Sequence, residues 1–328
     1  MAELTPLISI VIPVKNGDAW LDEVIPAILG QTLADRTEIV VIDSGSTDRT
    51  MEILAQYPVT IISIPPSEFN HGLTRNLGVQ KTKGEFIVMT VQDAIPADPY
   101  WLQNLLDGFD AANVGGVCGQ QIVPHDTDKN PVDWFRPISK PGKTKVEFRD
   151  VHEYASLPAD IKRNYCRWDN VNAMYRRKAL LAVPFRPLSF AEDAMWANDA
   201  LLAGYALVYN TLARVNHYHL DLPEYTLKRA FTVYYHTYKL FGTKPSQMHG
   251  EAISILKNIK LLVKEKKIAW KDKWKWLLFN HRVRSSLNRS AKIFNSALAI
   301  GEAELDRIHT ELCGNIPQAI KPLKIETH

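Results

Sequence analysis

Carboxylates follow several apolar runs of this sequence, where they could take part in chemistry. Asp93 stands in VQDAIPAD (91–98), directly after the apolar run EFIVMTV. Asp43 ends EIVVID and begins DSGSTDRT, and Glu192 and Asp193 are adjacent in AEDAMWA. A carboxylate can bind a hard divalent cation, accept a ligand N–H or take a proton from a hydroxyl group. These four acids are therefore the first candidates for a functional site.

Asp43 and Asp93 each have two interpretations. Asp43 could accept the imide N–H of a pyrimidine base, whereas polar residues 46–48 could simply cap the helix that follows. Asp48 fits the capping interpretation as well as a nucleotide contact. Asp93 could hold Mg²⁺ or Mn²⁺ against a diphosphate, or it could form an Asx-type turn before Pro96.

The acidic pair Glu192-Asp193 also has two explanations. Acids in the first turn of a helix are stabilised by the helix dipole, which is a purely structural role. One of the two could instead act as a general base toward a sugar hydroxyl, with apolar neighbours raising its pKa.

Two histidines and one arginine complete the set of candidates. His217 and His219 would point to one face of a strand, where both could bind a metal, or each could be a buried, hydrogen-bonded side chain. Arg75, in FNHGLTRNLG, could face a base or phosphates, or form a surface ion pair.

The apolar runs predict the elements that position these residues. Runs at 7–14, 38–43, 59–64 and 85–91 are rich in β-branched residues and alternate with segments of helical periodicity. This alternation predicts an α/β fold with a mostly parallel sheet flanked by helices. Ligands bind outside the carboxyl ends of such strands. Several polar or loop residues converge there: Pro13, Val14, Asn16, Asp43, Ser44, Gln92 and Asp93.

The second half of the chain reads differently. Residues 124–165 are polar and irregular, AEDAMWANDALLAGY predicts a helix with Gly204 near its C-cap, and YALVYNTLARVNHYH is strand-like. From Pro223 the pattern is mostly helical. We therefore expect one domain over 1–222, in two halves over about 1–123 and about 124–222. A helical, basic region covers 223–328.

Composition limits the function classes. The 328 residues are 46% apolar with a net charge of +3, so the chain is not a polycation built for nucleic acid. Three widely spaced cysteines and no apolar run long enough for a signal or a membrane span indicate a cytoplasmic protein. Neither G-x-G-x-x-G nor the P-loop motif occurs.

Taken together, SIVIPVKNG, VIDSGSTDRT, FNHGLTRNLG, VQDAIPAD and AEDAMWA resemble glycosyltransferase family 2, the inverting enzymes with a GT-A fold. The resemblance runs from about residue 7 to 240. It implies that the domain 1–222 is catalytic, with a nucleotide-sugar half over about 1–123 and an acceptor half over about 124–222. Within the family, FNHG-x-TRN, QDA-x-P and the later H-x-H resemble bacterial rhamnosyltransferases. The resemblance implies a Rossmann-like GT-A fold, a dTDP- or UDP-sugar donor, a glycan or lipid-linked glycan acceptor, and Mg²⁺ or Mn²⁺.

The resemblance also implies residue roles. Asp193, beside Glu192, matches the catalytic base, and Arg75 matches a basic residue near the base and diphosphate. Asp93 matches the second acid of the family's D-x-D motif, and His217 or His219 matches a late histidine near the metal. The first acid is replaced by Val91, so Gln92 is expected to take the ribose contact. The positions matching the nucleotide-sugar site are Pro13, Val14, Asn16, Asp43, Ser44, Asp48, Arg75, Gln92 and Asp93.

These roles imply an in-line displacement at the anomeric carbon. With dTDP-β-L-rhamnose as the donor, the product is an α-L-rhamnoside of a bacterial surface polysaccharide such as O-antigen. A UDP-hexose or UDP-N-acetylhexosamine donor is the first alternative, and a non-catalytic partner of a glycan assembly complex is the second. A nucleotidyltransferase is disfavoured because SIVIPVKNG lacks a glycine- and lysine/arginine-rich loop.

The segment 253–292 carries twelve basic residues against two acidic ones, together with Trp270, Trp274 and Trp276. Basic helices with tryptophan suit an anionic membrane surface. The same residues could form a solvated helical face or an oligomer contact. We expect peripheral association with the inner face of the cell membrane and no nucleic-acid partner, since no recognised nucleic-acid-binding module is present.

Overall fold

The computed structural model describes residues 5–135, 140–245 and 251–314, which form two compact units. The first unit contains the described residues of 1–122 and 139–217, and the second those of 123–138 and 218–328. Residues 124–135, which are predicted from sequence to be part of the acceptor half, belong to the second unit together with Val123, where Val123 and Trp134 pack with Leu262 and Trp276.

The first unit is built on one sheet, whose described strands follow the order β3-β2-β1-β4-β8-β6-β9-β5, with β7 also paired to β9. The strands are β1 (Ile8–Val14), β2 (Thr37–Asp43), β3 (Thr60–Ser63), β4 (Phe86–Thr90), β5 (Ile95–Pro96), β6 (Val114–Ile122), β7 (Lys143–Val146), β8 (Asn172–Arg176) and β9 (Ala206–Asn216).

The sheet is mixed, and this refines the predicted mostly parallel arrangement. Strands β1 to β4 pair in parallel, as the alternation predicted. Strand β8 is antiparallel to both β4 and β6, and β5 and β7 are antiparallel to β9, whereas β6 and β9 are parallel. An apolar run indicates burial but carries no information about strand direction, so only the regular βαβ half was predictable.

Eight α-helices of the first unit surround this sheet: α1 (Leu21–Leu29), α2 (Thr50–Leu54), α3 (His71–Lys81), α4 (Trp101–Leu106), α5 (Val151–Ala155), α6 (Ala159–Tyr165), α7 (Arg177–Ala182) and α8 (Glu192–Leu202). Strand β7 and helices α5 and α6 fall inside the stretch predicted to be irregular. Their short, polar sequences lack the periodicity that would have revealed them.

The central strands are buried on both faces. Ile8, Ile10 and Ile12 of β1 are fully buried and share a cluster with Leu21 and Val24 of α1. Burying each such side chain stabilises the fold by roughly 1.5–3 kcal/mol. This packing therefore holds β1 in one position in the sheet. The register pairs Val14 with Asp43, and β1 and β2 therefore end level with each other at the same edge.

The second unit is helical, with α9 (Pro223–Phe241), α10 (Glu251–Lys264), α11 (Trp270–Ile300) and α12 (Glu302–Cys313). Phe231 and Phe294 are fully buried and join α9 to α11, and Leu305 adds α12 to the same cluster. Among the helices that the structure describes, none combines the length and apolar character needed to span a bilayer.

Candidate active site

The loops after β1 and β2 interlock at the carboxyl edge of the sheet. The Val14 carbonyl accepts hydrogen bonds from the Ser44 amide (3.0 Å) and the Ser44 hydroxyl (3.1 Å). Asn16 has a positive φ of 53°, its amide donates to the Ser46 hydroxyl (2.8 Å), and its Oδ1 accepts from the Thr47 amide (2.9 Å). These hydrogen bonds fix the conformation of both loops without a ligand. The Val14 side chain is buried, so only its backbone can serve a ligand.

The carboxylates of this edge shape their own loop. Asp43 accepts hydrogen bonds from the Gly45 amide (3.1 Å) and from the amide and hydroxyl of Ser46 (3.2 and 2.5 Å). Asp48 accepts from the Thr50 amide (3.0 Å), as the capping interpretation predicted. Burial opposes ionisation of Asp48, but hydrogen bonds from Thr50 and Asp18 outweigh it and lower its pKa. Contacts of either acid with a nucleotide stay a prediction.

Gln92 joins the end of β4 to the end of β1. Its Oε1 accepts from the Lys15 amide (2.8 Å), and its Nε2 donates to the Lys15 carbonyl (3.2 Å). Both ends of the amide are therefore engaged with backbone. The side chain thus bridges two strand ends, and its contact with a ribose stays a prediction.

The FNHGLTRN motif forms the start of α3 and docks it against the segment that precedes α8. Asn70 caps the helix by accepting from the Gly72 and Leu73 amides, both at 3.1 Å. The Asn76 side chain pairs with both backbone groups of Phe185 (2.8 and 3.1 Å). A Cβ at Gly72 would lie 1.9 Å from the Arg186 carbonyl oxygen, so this close approach requires glycine.

Arg75 forms a buried ion pair and not the surface pair considered from sequence. Its Nη1 lies 3.1 Å from Glu192 Oε1, and the two side chains are 5% and 7% exposed. The same nitrogen donates to the His71 carbonyl (3.0 Å). A buried cation needs a counter-charge, and Glu192 supplies it. Contact of the Arg75 guanidinium with a base or a diphosphate stays a prediction.

Glu192 and Asp193 open α8 immediately after Ala191, whose left-handed backbone (φ 59°) turns the chain into the helix. Burial opposes ionisation of Glu192, but Arg75 and His71 outweigh it and lower its pKa. Burial and the neighbouring Glu192 charge raise the pKa of Asp193 to about 8. Two adjacent carboxyls whose environments separate their pKa values are typical of an acid–base site.

Asp193 is the half-buried member of the pair, whereas Glu192 is buried. The Ala194 amide donates to Asp193 Oδ1 (2.7 Å), and the Asn170 amide lies 3.3 Å from Oδ2. The half-buried Asp193 carboxyl can therefore contact a hydroxyl group that approaches from solvent. The buried Glu192 can influence that chemistry only through its charge.

Asn170 is a site residue that the sequence reasoning missed. Its Nδ2 donates to Glu192 Oε1 (3.0 Å), and its Oδ1 accepts from the Tyr175 hydroxyl (2.5 Å). The Trp168 indole in turn donates to that hydroxyl (2.7 Å). The sequence feature that could have identified Asn170 is WDNVN (168–172), a polar cluster directly before an apolar strand.

Asp93 and His217 meet at a second carboxylate site in the same unit. Asp93 Oδ1 lies 3.5 Å from His217 Nε2, and both side chains are largely buried. They meet because β5 pairs Ile95 with Asn216 of β9. Strand β9 ends at Asn216, so the alternation argument for His217 and His219 does not apply. His219 belongs to the second unit, and its role stays a prediction.

Gln121 orients His217. Its Oε1 lies 2.8 Å from His217 Nδ1, which can donate its proton there and leave the Nε2 lone pair toward Asp93. The Gln121 amide also hydrogen-bonds Asp169, a buried acid whose pKa is raised by burial. A carboxylate oxygen and an imidazole nitrogen within 4.8 Å fit a divalent cation, and Mn²⁺ accepts this mixed set more readily than Mg²⁺. Such an outer hydrogen bond commonly fixes a ligating histidine.

Comparison with known proteins agrees with this geometry. Residues 9–181 match the family description "Glycosyl transferase family 2", which is more than half of the chain. The chain therefore belongs to glycosyltransferase family 2, and it is a glycosyltransferase. The family and the GT-A-like fold class predicted from sequence are both confirmed.

Two relatives and one solved structure extend the comparison. The O-antigen chain rhamnosyltransferases WbaN of Salmonella anatum and RfbN of Salmonella typhimurium are 34% and 33% identical over 230 residues, 69% and 68% of this chain and 70% of each relative. A mannosyltransferase from Pyrobaculum calidifontis, solved with GDP-Man and Mn²⁺, aligns over 96% of this chain and 82% of its own with a TM-score of 0.52 and 16% identity. That likeness establishes the fold alone.

Replacing Asp193 with Asn should stabilise the free protein, and the gain should grow with pH. The folded-state pKa of about 8 lies above the ordinary 3.8, so folding favours the protonated carboxyl. This stabilisation is complete below the unfolded pKa and is lost as the pH rises through about 8, whereas Asn stays neutral.

Urea denaturation near about pH 5 and about pH 9 measures this effect. The gain in unfolding free energy should be larger at the higher pH by at least about 1 kcal/mol, since one pKa unit corresponds to about 1.4 kcal/mol. Asp110→Asn, at an exposed position, is the control. Equal gains at both pH values would contradict the burial of an uncharged Asp193.

Proposed function

We propose that this glycosyltransferase moves L-rhamnose from dTDP-L-rhamnose to a glycan or lipid-linked glycan acceptor in the synthesis of bacterial O-antigen. The observation that carries the proposal is the identity of 34% and 33% to two O-antigen chain rhamnosyltransferases, over 69% and 68% of this chain. The paired acids at the start of α8 supply the required base.

Asp193 is the proposed base. Its ionised carboxylate takes the proton from an acceptor hydroxyl as that oxygen attacks the anomeric carbon. The bond between the anomeric carbon and the diphosphate oxygen breaks on the opposite face, and the bonding electrons leave with the nucleoside diphosphate. One such displacement inverts the anomeric centre and converts the β-linked donor into an α-L-rhamnoside.

The raised pKa of Asp193 suits this role. A general base works best when its pKa lies near the working pH, because it then holds the proton firmly after accepting it. Glu192 contributes through its negative charge, which raises the pKa of its neighbour. Arg75 keeps Glu192 ionised, so the three residues act as one electrostatic unit.

Asp93 and His217 are the proposed ligands of a divalent cation, Mg²⁺ or Mn²⁺, with His219 as a predicted third ligand. Such a cation would offset the negative charge that develops on the departing diphosphate. The protein's own share is to hold the carboxylate and the imidazole in place. Gln121 does so for His217, and the β5–β9 pairing does so for Asp93.

A donor screen tests the sugar. The purified enzyme with Mn²⁺ is given dTDP-L-rhamnose, UDP-glucose, UDP-N-acetylglucosamine or GDP-mannose, and nucleotide release is followed by mass spectrometry. We expect the fastest release from dTDP-L-rhamnose, and Asp193→Asn should lower this rate by at least about a hundredfold, the low end of what general-base catalysis contributes. Faster release from a UDP-sugar would assign the donor to that alternative. No release from any donor would favour a non-catalytic partner of a glycan assembly complex.

Replacing Asp93 with Ala should remove the metal-dependent part of nucleotide binding. The wild-type melting temperature should rise with dTDP and rise further when Mn²⁺ is added. The second increase should disappear in Asp93→Ala, because the carboxylate is the charged ligand of the pair. Differential scanning fluorimetry with dTDP alone, Mn²⁺ alone and both measures this, with Asp110→Ala as control. An unchanged metal-dependent increase would exclude Asp93 as a ligand.

The helical unit carries a surface suited to an anionic membrane. Trp270, Trp274 and Leu278 recur every four residues along α11 and are 63%, 64% and 53% exposed. Leu256 and Val263 of α10 are exposed to a similar degree. We call these five residues the apolar stripe. Trp276 is predicted from sequence to belong to the same membrane-facing surface, but it is buried in the core of the unit.

Lysines flank the apolar stripe: Lys257, Lys260, Lys264, Lys266, Lys267, Lys271 and Lys275 are all exposed. Each basic residue near an anionic surface contributes about 1 kcal/mol of attraction, and exposed tryptophans insert at the headgroup level. The combination favours peripheral association with the inner face of the cell membrane, where a lipid-linked acceptor would be found.

Vesicle flotation tests this surface. The wild type should float with vesicles of phosphatidylcholine and phosphatidylglycerol, and much less with phosphatidylcholine alone. Trp270→Ser combined with Trp274→Ser should reduce flotation at least about tenfold, because the two largest apolar groups of the stripe are lost. Leu181→Ser, at an equally exposed position of the first unit, is the matched control. Flotation of the double variant at the wild-type level would refute the assignment.

A further inference from the structure

Asp169 is an acid to which the proposed chemistry gives no role. It lies in the WDNVN turn directly before β8, and its Oδ1 accepts hydrogen bonds from the Val171 amide (3.1 Å) and the Asn172 amide (3.2 Å). An aspartate that bonds the backbone two residues further along forms an Asx-type turn. The carboxylate is therefore held in place by its own turn, and it can orient a neighbouring side chain that hydrogen-bonds to it.

The turn is itself anchored to the sheet through Asn172, which is fully buried. Its Nδ2 donates to the Ala213 carbonyl of β9 (2.9 Å), and its Oδ1 accepts from the Trp101 indole (2.8 Å). A Cβ at Gly119 of β6 would lie 2.3 Å from Asn172 Nδ2, so the close approach of β6 to the turn requires glycine. Asp169 therefore has a fixed place beside β6 and β9.

A chain of hydrogen bonds leads from Asp169 to the candidate metal ligand His217. The side chain of Gln121, on β6, hydrogen-bonds Asp169, and its Oε1 lies 2.8 Å from His217 Nδ1. The other ring nitrogen of His217, Nε2, lies 3.5 Å from Asp93 Oδ1. All four residues belong to the first unit. We call Asp169, Gln121 and His217 the hydrogen-bond relay.

The chemistry of the three side chains gives the relay a direction. An ionised carboxylate can only accept hydrogen bonds, so Gln121 must present its Nε2 amide group to Asp169. The Oε1 of Gln121 is then left for His217, and because this oxygen can only accept, His217 Nδ1 must carry the ring proton. The lone pair of the neutral imidazole therefore lies on Nε2, the nitrogen that faces Asp93. In the reverse arrangement two acceptors would meet at Asp169.

We propose that Asp169 is a positioning residue that sets the tautomer of His217 through Gln121 and so keeps the Nε2 lone pair ready for a divalent cation. The inference rests on the proposed function, because that function places a cation at Asp93 and His217. Replacing such an outer partner of a metal ligand commonly weakens metal binding about tenfold to a hundredfold.

Asp169→Asn tests the relay by reversing it. The new side-chain oxygen still accepts from the backbone of the turn, but its NH₂ group faces Gln121, which must turn its own oxygen toward it. His217 Nδ1 then accepts, and the ring proton moves to Nε2. Long-range ¹H–¹⁵N NMR of the metal-free, ¹⁵N-histidine-labelled protein at about pH 8, where an ordinary histidine is neutral, shows which nitrogen is protonated. His217→Gln identifies the signal among those of the ten histidines. Mn²⁺ affinity, measured by electron paramagnetic resonance, should fall at least about tenfold.

A second substitution should restore the original direction. In Asp169→Asn combined with Gln121→Glu, the carboxylate introduced at position 121 accepts both from the new amide and from His217 Nδ1, and the net charge of the relay is unchanged. The Nδ1–H tautomer should return, with Mn²⁺ affinity within about threefold of the wild type. A purely structural role of Asp169 predicts no such rescue. Asp98→Asn is the matched control, because Asp98 Oδ1 likewise accepts the amide two residues further along, from Tyr100 (2.8 Å); both readouts should stay at the wild-type values.

An Nδ1–H tautomer that persists in Asp169→Asn, or a double variant that restores neither readout, would overturn the inference. Melting temperatures check that the variants fold. Gln121→Leu, at an exposed position, interrupts the relay without altering the turn, so persistence of the Nδ1–H tautomer there would also overturn it if Asp169→Asn does not fold. Tautomers that change as expected in a protein that binds no Mn²⁺ would support the relay and count against the proposed metal site alone.

Discussion

The buried ion pair between Arg75 and Glu192 is the interaction on which the candidate active site depends. Taking two charges out of water costs several kcal/mol for each ion, and only close pairing with further hydrogen bonds offsets that cost. Here Arg75 donates a further hydrogen bond to the His71 carbonyl, and the side-chain amide of Asn170 donates one to Glu192. The pair keeps Glu192 ionised. Burial and this neighbouring charge together raise the pKa of Asp193 to about 8.

This electrostatic unit requires α3 and α8 to approach closely, and the local sequence provides for that. Gly72 leaves room for the Arg186 carbonyl, and Asn76 fastens α3 to the backbone at Phe185. Ala191 adopts a left-handed backbone that costs an alanine roughly 1–2 kcal/mol. Such strain tends to collect at functional sites. The Arg75–Glu192 ion pair compensates this strain, because the turn at Ala191 directs Glu192 inward to Arg75 and leaves Asp193 half-buried.

The sequence predicted individual elements well and their long-range partners poorly. Alternating runs predicted β1 to β4, and the shared edge of those strands predicted that Val14 and Asp43 end together. Periodicity reports which face of an element is buried, but it does not report what lies against that face. The Arg75–Glu192 pair joins residues more than a hundred positions apart, and Asp93 meets His217 through the two-residue strand β5. A polar side chain at a strand end, such as Gln92, likewise gives no sign that it will hydrogen-bond the backbone of the neighbouring strand end.

The replacement at position 91 determines what the metal site can be. Val91 stands where the family resemblance implies an acid, and it packs partly buried against the core of the first unit. A cation at Asp93 would therefore have one carboxylate fewer than the family motif supplies, and the imidazole of His217 would be its second ligand. A hard ion such as Mg²⁺ gains less from imidazole than Mn²⁺ does, because nitrogen ligands favour the transition metal. The donor set thus makes Mn²⁺ the better fit. The hydrogen bond that His217 Nδ1–H can donate to Gln121 Oε1 matters because it turns the Nε2 lone pair toward Asp93.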